Sequence, residues 1–235
     1  MNGNIPMRTN ITLRHQTGLT LIEVMIAMLL GVFLIGGILQ IFISTKQTYR
    51  MQENLSRLQE NGRFAMDFIS RDIRMADFRE CATNPSVPTA IAGTNGAGTA
   101  DTITITWSTA ACGTATATTT KTYSIQNGAG GQPALFQNAN ELVEGVENLQ
   151  ILYGADTNTP TDGTPNYYVP AGTAGLNMAQ VVSIRASLLL RTIDNYVAAE
   201  PLAYTYNGTT TTPPSTDRRI RRVFNSTLAV RNRLP

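Results

Sequence analysis

A chain of 235 residues has room for one or two domains, and its formal net charge of +2 is the balance of 18 basic and 16 acidic side chains. Two of those cations, Arg8 and Arg14, lie in the first 18 residues, which hold no acid, so the remainder is neutral overall and its total charge selects no acidic or basic partner. The one histidine, His15, sits in the same leader, which takes imidazole out of the acid–base and metal chemistry open to the rest.

After the leader, Leu19 to Ile43 reads as an apolar run with Thr20, Glu23 and Gln40 as its clear polar exceptions. About 20 such residues suffice for a transmembrane helix. Glu23 is the anomaly, because a carboxylate at the centre of a bilayer helix costs on the order of 2.5 to 3.5 kcal/mol, less near an end, and such groups usually have a partner. A secretory signal would place its cleavage site after a short apolar region, but here the small residue Gly18 precedes a long one. Gly18-Leu19-Thr20-Leu21-Ile22-Glu23 therefore resembles the type IV prepilin signal. In that family a dedicated peptidase cuts after the glycine on the cytoplasmic side and the new N-terminus is methylated. The resemblance implies Gly18 and Leu19 as the cleaved pair, Leu19 as the N-methylated residue and Glu23 as the fifth mature residue. An uncleaved signal anchor with a stray glutamate is the alternative.

Cleavage would create an α-amine at Leu19. In an apolar bundle, the cationic end of one helix can neutralise Glu23 of a neighbouring, axially shifted helix, so that charge pairing sets the stagger. Before assembly, Glu23 can meet its own chain's amine four residues away. The basic leader, with Arg8 and Arg14 before the span and acids soon after it, supports a cytoplasmic N-terminus and an exported C-terminal part.

No proline occurs from Leu19 to Phe78, and apolar positions continue at Leu55, Leu58, Ala65, Ile69, Ile73 and Ala76, at helical spacings of three and four. Charged residues fill the intervening positions, which predicts an amphipathic helical continuation over 44–80. Gly31, Gly36, Gly37 and Gly62 interrupt it and predict local bending or melting, since glycine costs up to about 1 kcal/mol relative to alanine in a helix interior. Many major pilins carry a proline where this chain has Gln40. Ala27 and Gly31 are spaced for close helix approach, with simple membrane packing as the alternative.

Cys81 and Cys112 both fall in the exported part, where a periplasm permits oxidation. A bridge between them would staple the end of the long helix to the first strand region; two separate buried thiols are the alternative. Beyond Cys81 the composition turns to threonine, alanine and glycine through 83–100 and 110–120, predicting loops or weak strands. Thr102 to Trp107 alternates, with Ile103, Ile105 and Trp107 on one face. Tyr123 to Ile125 follows, ending at Asn127-Gly128. Leu149, Ile151 and Tyr153 alternate, as do Val182, Ile184, Ala186, Leu188 and Leu190, and Phe224 to Arg231 is the last predicted strand. The expected fold class is α+β, type IV pilin-like: a leader (1–18), a transmembrane or filament-core helix (19–43), its amphipathic continuation (44–80), and a β-rich head (81–235) whose antiparallel sheet packs on the helix.

Gly145 to Gly154 followed by Asp156, Val181 to Arg191, and Arg221 to Phe224 with Leu228 to Arg233 look like the PilW family of minor pilins. That resemblance implies a subunit that joins other minor pilins in a complex priming type IV pilus assembly at the tip, supporting adhesion and twitching motility. The implied partners are other minor pilins, the major pilin, a tip adhesin, the prepilin peptidase and, before assembly, the inner membrane. The implied location is a single inner-membrane pass with a periplasmic head, then the surface pilus. A type II secretion minor pseudopilin, similar to GspJ, shares the architecture and is the nearest alternative.

Three further readings concern the head. Asp156, Asn158 and Asp162 bring oxygens into a turn-rich stretch, a candidate calcium loop whose spacing is irregular, with an ordinary polar loop as the alternative. Arg218, Arg219, Arg221, Arg222, Arg231 and Arg233 make the C-terminal end basic, as DNA uptake would require, yet only Phe224 is interleaved with them, which argues against nucleic acid. An enzyme has nothing to recommend it: there is no Gly-x-Ser-x-Gly elbow and no phosphate-cradling glycine loop.

Overall fold

The computed structural model describes residues 18–81, 84, 87, 89–113 and 117–234. One helix, α1 (Leu21–Met75), precedes eleven strands among the described residues. The chain divides into two compact units, Met1–Gln47 and Thr48–Pro235. Residues 21–47 of α1 belong to the first unit and residues 48–75 to the second.

In the first unit α1 runs without interruption through Gly31, Gly36 and Gly37, so the predicted bending or melting there is not seen. Nothing lies within 4 Å of where a Cβ at any of these glycines would stand. A continuous helix is the expected outcome where the flanking Leu, Ile, Met and Ala residues propagate helix well enough to offset the glycine cost.

In the second unit, β1 (Ile91–Thr94), β2 (Thr102–Ser108), β3 (Thr118–Asn127), β4 (Pro133–Gln137) and β5 (Asn140–Glu144) form an antiparallel meander in sequence order. β6 (Val146–Ala155), β7 (Tyr167–Val169), β8 (Val181–Arg191) and β11 (Arg221–Ala229) form a second antiparallel sheet, ordered β11-β8-β6-β7. β9 (Tyr204–Tyr206) and β10 (Thr209–Thr211) make a separate hairpin. Its two-residue turn is Asn207-Gly208, with φ of 48° and 76°, the left-handed pair that Asn-Gly adopts at low cost.

The predicted alternation holds in β2, where Ile103 and Ile105 are buried and Trp107 is half-buried. Thr104 and Thr106 pair their hydroxyls with Thr122 and Thr120 of β3, at 2.9 and 3.1 Å. β-Branched threonine fits this pleated surface, which is why part of the threonine-rich stretch expected as loop or weak strand belongs to β3. In the central strand β8, Val181, Ile184, Ala186, Leu188 and Leu190 join one core cluster with Leu149, Ile151 and Tyr153 of β6. Leu58, Ala65, Ile69, Ile73 and Ala76 complete that cluster from the helix side, as their spacing predicted. The helix itself ends at Met75, short of residue 80, and its second half is part of the head's core rather than a separate stalk.

Gly62 is on that buried stripe for a reason invisible in the sequence. A Cβ there would run into the ring of half-buried Phe224 on β11, so any larger residue would have to push that ring aside. Polar contacts fix the same packing: Tyr123 Oη donates to Asp72 Oδ2 (2.6 Å) and Asn61 Nδ2 to the Glu144 carbonyl (3.3 Å). Burial and the neighbouring Asp72 carboxylate push the Tyr123 phenol well above its ordinary range, so it stays a proton donor.

Cys81 and Cys112 are bonded, with Cα atoms 5.5 Å apart, and join the segment after α1 to the one between β2 and β3. Closing a loop of 31 residues removes chain entropy worth about 3 to 4 kcal/mol from the unfolded state. Replacing both cysteines by serine should lower unfolding free energy by about that amount in urea titrations; a loss below about 1 kcal/mol would mean that the bridge is not a significant constraint.

Candidate functional site

At the head of the apolar stem, the Gly18–Leu19 peptide bond precedes the helix, in non-helical and exposed backbone. Thr20 is the turning point: its carbonyl accepts the backbone N–H of Glu23 (3.1 Å) and of Val24 (3.2 Å). Glu23 thus stands in the first helical turn, where a negative side chain interacts favourably with the positive end of the helix dipole. That local effect is worth about 0.3 to 1 kcal/mol and would suffice for a glutamate with no further role. The surroundings set this one apart. From Leu21 to Gln47 every residue is exposed except Gly31, which is half-buried, so a full circumference of Leu, Ile, Val, Met and Phe is uncovered. An 18-residue window of this helix reaches mean hydropathy 2.6, long and apolar enough to cross a membrane.

The bond after Gly18 lies outside the helix, in the short stretch that leads into the first turn carrying Glu23. His15, Arg8 and Arg14 fall outside the described residues.

In the head, Asp156, Asn158 and Asp162 do come together. Asp156 Oδ1 accepts the Asn158 N–H (3.0 Å), and Oδ2 accepts those of Asp162 (2.9 Å) and Gly163 (2.8 Å). Asn158 Nδ2 donates to Asp162 Oδ2, and Asn166 Nδ2 to Asn158 Oδ1, each at 3.0 Å. Burial raises the Asp156 pKa, but the three amide donors outweigh it and hold the carboxyl below its usual range. A calcium ion needs converging oxygens, whereas here N–H groups converge on a carboxylate, so the loop does not fit calcium. It is an acid-centred turn that holds the chain between β6 and β7.

The six C-terminal arginines do not form a free basic face. Arg221, with a side chain 6 % exposed, binds Glu147 through Nε (2.7 Å) and Nη2 (2.9 Å) and Asp217 through Nη2 (2.6 Å). Arg191 donates to the same Glu147 (2.8 Å), Arg219 pairs with Asp217 (3.4 Å), and Arg233 with Asp77 (3.3 Å). Arg218 lies 5.6 Å over the Tyr196 ring, leaving Arg222 and Arg231 as exposed side chains. Burial raises the Asp217 pKa, but Arg221 and the Arg219 amide outweigh it and lower it. Sequence reasoning missed this network because Glu147 and Arg221 are 74 residues apart. A phosphate-binding surface needs guanidinium groups that are free, and most of these are engaged in the fold.

Two family models match the chain. "Prokaryotic N-terminal methylation motif" covers residues 13–39, and "Type IV Pilus-assembly protein W", PilW, covers residues 119–232. Among solved structures, a type IV-like pilin from Thermus thermophilus is similar at 16 % identity, covering 76 % of this chain and 98 % of that one, with a TM-score of 0.45. No curated protein sequence matches.

Proposed function

We propose that this chain, which matches the PilW model over residues 119–232 and the N-terminal methylation motif over 13–39, is a minor pilin: a structural subunit that is processed after Gly18, methylated at Leu19 and built into a complex that primes pilus assembly. Supporting this reading above all is an exposed, non-helical Gly18–Leu19 bond directly ahead of an uncovered apolar helix with an acid in its first turn. The methylation motif and the apolar helix support anchoring in a membrane. In the proposed topology, the N-terminus is cytoplasmic and the head periplasmic until the stem leaves the bilayer for the filament. There, Glu23 takes the amine of a neighbouring subunit, which relieves both buried charges at once. The partners are other minor pilins, the major pilin and a tip adhesin, and the outcome is adhesion and twitching motility.

Purification of the tagged full-length protein from envelope membranes tests this directly. Pilus minor subunits and the adhesin should co-purify. Recovery of secretion-system components in their place would transfer the same architecture to a type II secretion pseudopilus and overturn the pilus reading.

A further inference from the structure

The outer face of the second sheet carries a cleft of about 640 Å³, within the range of small-ligand sites. Strand register lays out its floor as two rows across β6, β8 and β11. Gln150, Ser187 and Asn225 form one row and Leu152, Arg185 and Thr227 the next. Because these positions alternate by two along each strand, all six share a face. Three separate segments wall the floor: Asn95 from the β1–β2 loop, Asn207 from the β9–β10 turn, and Pro170 just after β7.

The chemistry of the lining is selective. Among the described residues that line it, Arg185 is the one with a charged side chain, and none is a carboxylate. Tyr168, held by its hydroxyl to Ser183 Oγ (3.0 Å), places its ring under the guanidinium, 3.7 Å from Cζ to the ring centroid. Among the described residues no acid pairs with Arg185, whereas Arg191, Arg219, Arg221 and Arg233 each have one. A stacked guanidinium without a counter-ion is a preorganised fork for a carboxylate. Around it, Asn225 and Thr227 are exposed and make no side-chain hydrogen bond among the described residues. Gln150 spends its N–H donors on the Thr99 carbonyl (2.6 Å) and Asn148 Oδ1 (3.0 Å), and its Oε1 accepts a long bond from Asn207 Nδ2 (3.5 Å), which leaves that oxygen one lone pair for a ligand.

We infer that this cleft binds an acidic saccharide, with Arg185 taking its carboxylate, Asn225, Thr227 and Gln150 its hydroxyl groups, and Leu152 and Pro170 its C–H face. A polynucleotide would need several cations where there is one. An added peptide strand would need a free sheet edge, but the middle strand of the floor, β8, is paired on both sides, so a ligand lying across the floor meets side chains. Amides and hydroxyls, each able to donate and accept, match a polyhydroxylated ring. The inference stands on the head alone and does not depend on processing at Gly18.

The test is calorimetric titration of the detergent-solubilised full-length protein with trigalacturonate and 3′-sialyllactose, with maltotriose and lactose as neutral controls. At least one acidic saccharide should bind saturably and at least about tenfold more tightly than its neutral counterpart, as expected for a charge-assisted contact. Arg185→Gln should weaken that binding at least about tenfold, and so should Asn225→Asp, which sets a repelling carboxylate in the cleft without touching Arg185. Circular dichroism of both variants checks that the head is folded. Three results would each overturn the proposal: no saturable binding by either acid, equal binding of acidic and neutral sugars, or undiminished binding by both folded variants. Tighter binding of a short peptide with a free C-terminal carboxylate would overturn it in favour of a peptide ligand. Variants that lose pilus incorporation while the wild type binds no saccharide would make the cleft a subunit contact, which sinks this inference and leaves the assembly reading intact.

Discussion

Glu147→Ala should cost the head about 3 to 5 kcal/mol, a large share of the stability of an ordinary domain. Glu147 is 15 % exposed and receives both Arg191, 17 % exposed, and Arg221, 6 % exposed. Its removal leaves these two cations and Arg219 with Asp217 as the one nearby anion in the network. Arg191 Nε and Arg221 Nη1 already lack partners, so no spare acceptor takes up the charge. Losing one partner of a buried pair is more damaging than losing the pair, because the remaining charge is neither solvated nor neutralised. Urea unfolding followed through the single tryptophan, Trp107 in β2, measures it. The midpoint should fall with little change in slope; a loss under about 1 kcal/mol would mean that solvent screens the network. Arg222→Ala, on the same strand but exposed, should stay within about 0.5 kcal/mol of the wild type.

Glu23→Gln should leave that unfolding curve unchanged and lower incorporation into the filament by up to about a hundredfold. The head's core draws nothing from residues 21–47, so its stability has no reason to respond. In the proposed bundle, by contrast, the substitution strands a neighbour's ammonium in apolar surroundings, at a cost of about 2.5 to 3.5 kcal/mol, equivalent to two decades in occupancy. Glu23→Asp keeps the charge on a shorter arm and should fall between the two. The ratio of this subunit in sheared pili to that left in membranes is the quantity to compare. Normal incorporation of the glutamine variant would remove charge pairing from the account.

How much of this was legible in the sequence varies with the range of the interaction involved. The stem, its glutamate and the buried stripe from Leu58 to Ala76 are local patterns, carried by spacing alone, and the structure has the stripe where the spacing placed it. β2, β6 and β8 were equally legible, because one or both faces are buried and their side chains alternate or run continuously apolar. β4 and β5 were not, since Pro133 opens one and exposed Asn140 and Glu141 open the other. β10 is three exposed threonines, whose strand character comes from pairing with β9 across Asn207-Gly208, a dipeptide that also marks ordinary loops.

The head's sites followed the same division. Asp156, Asn158 and Asp162 are close enough in the chain for the sequence to group them, but whether oxygens or N–H groups face the centre depends on backbone direction, which composition does not carry. The arginine-rich end looked like a basic surface because cations are visible as a run, while the acids that neutralise Arg221 and Arg233 come from Glu147, Asp217 and Asp77, two of them distant in the chain. Gly62 read as a helix defect until Phe224, on a strand at the other end of the chain, supplied its purpose. The acidic-saccharide cleft had no sequence signal: its six floor residues become neighbours through the register of three strands.

Intact-mass and N-terminal peptide analysis of the protein recovered from cells tests the central proposal most directly. A chain that begins at Leu19 and carries one methyl group on its α-amine is the predicted result. A chain that retains residues 1–18, or one that begins beyond the apolar stem, would contradict it.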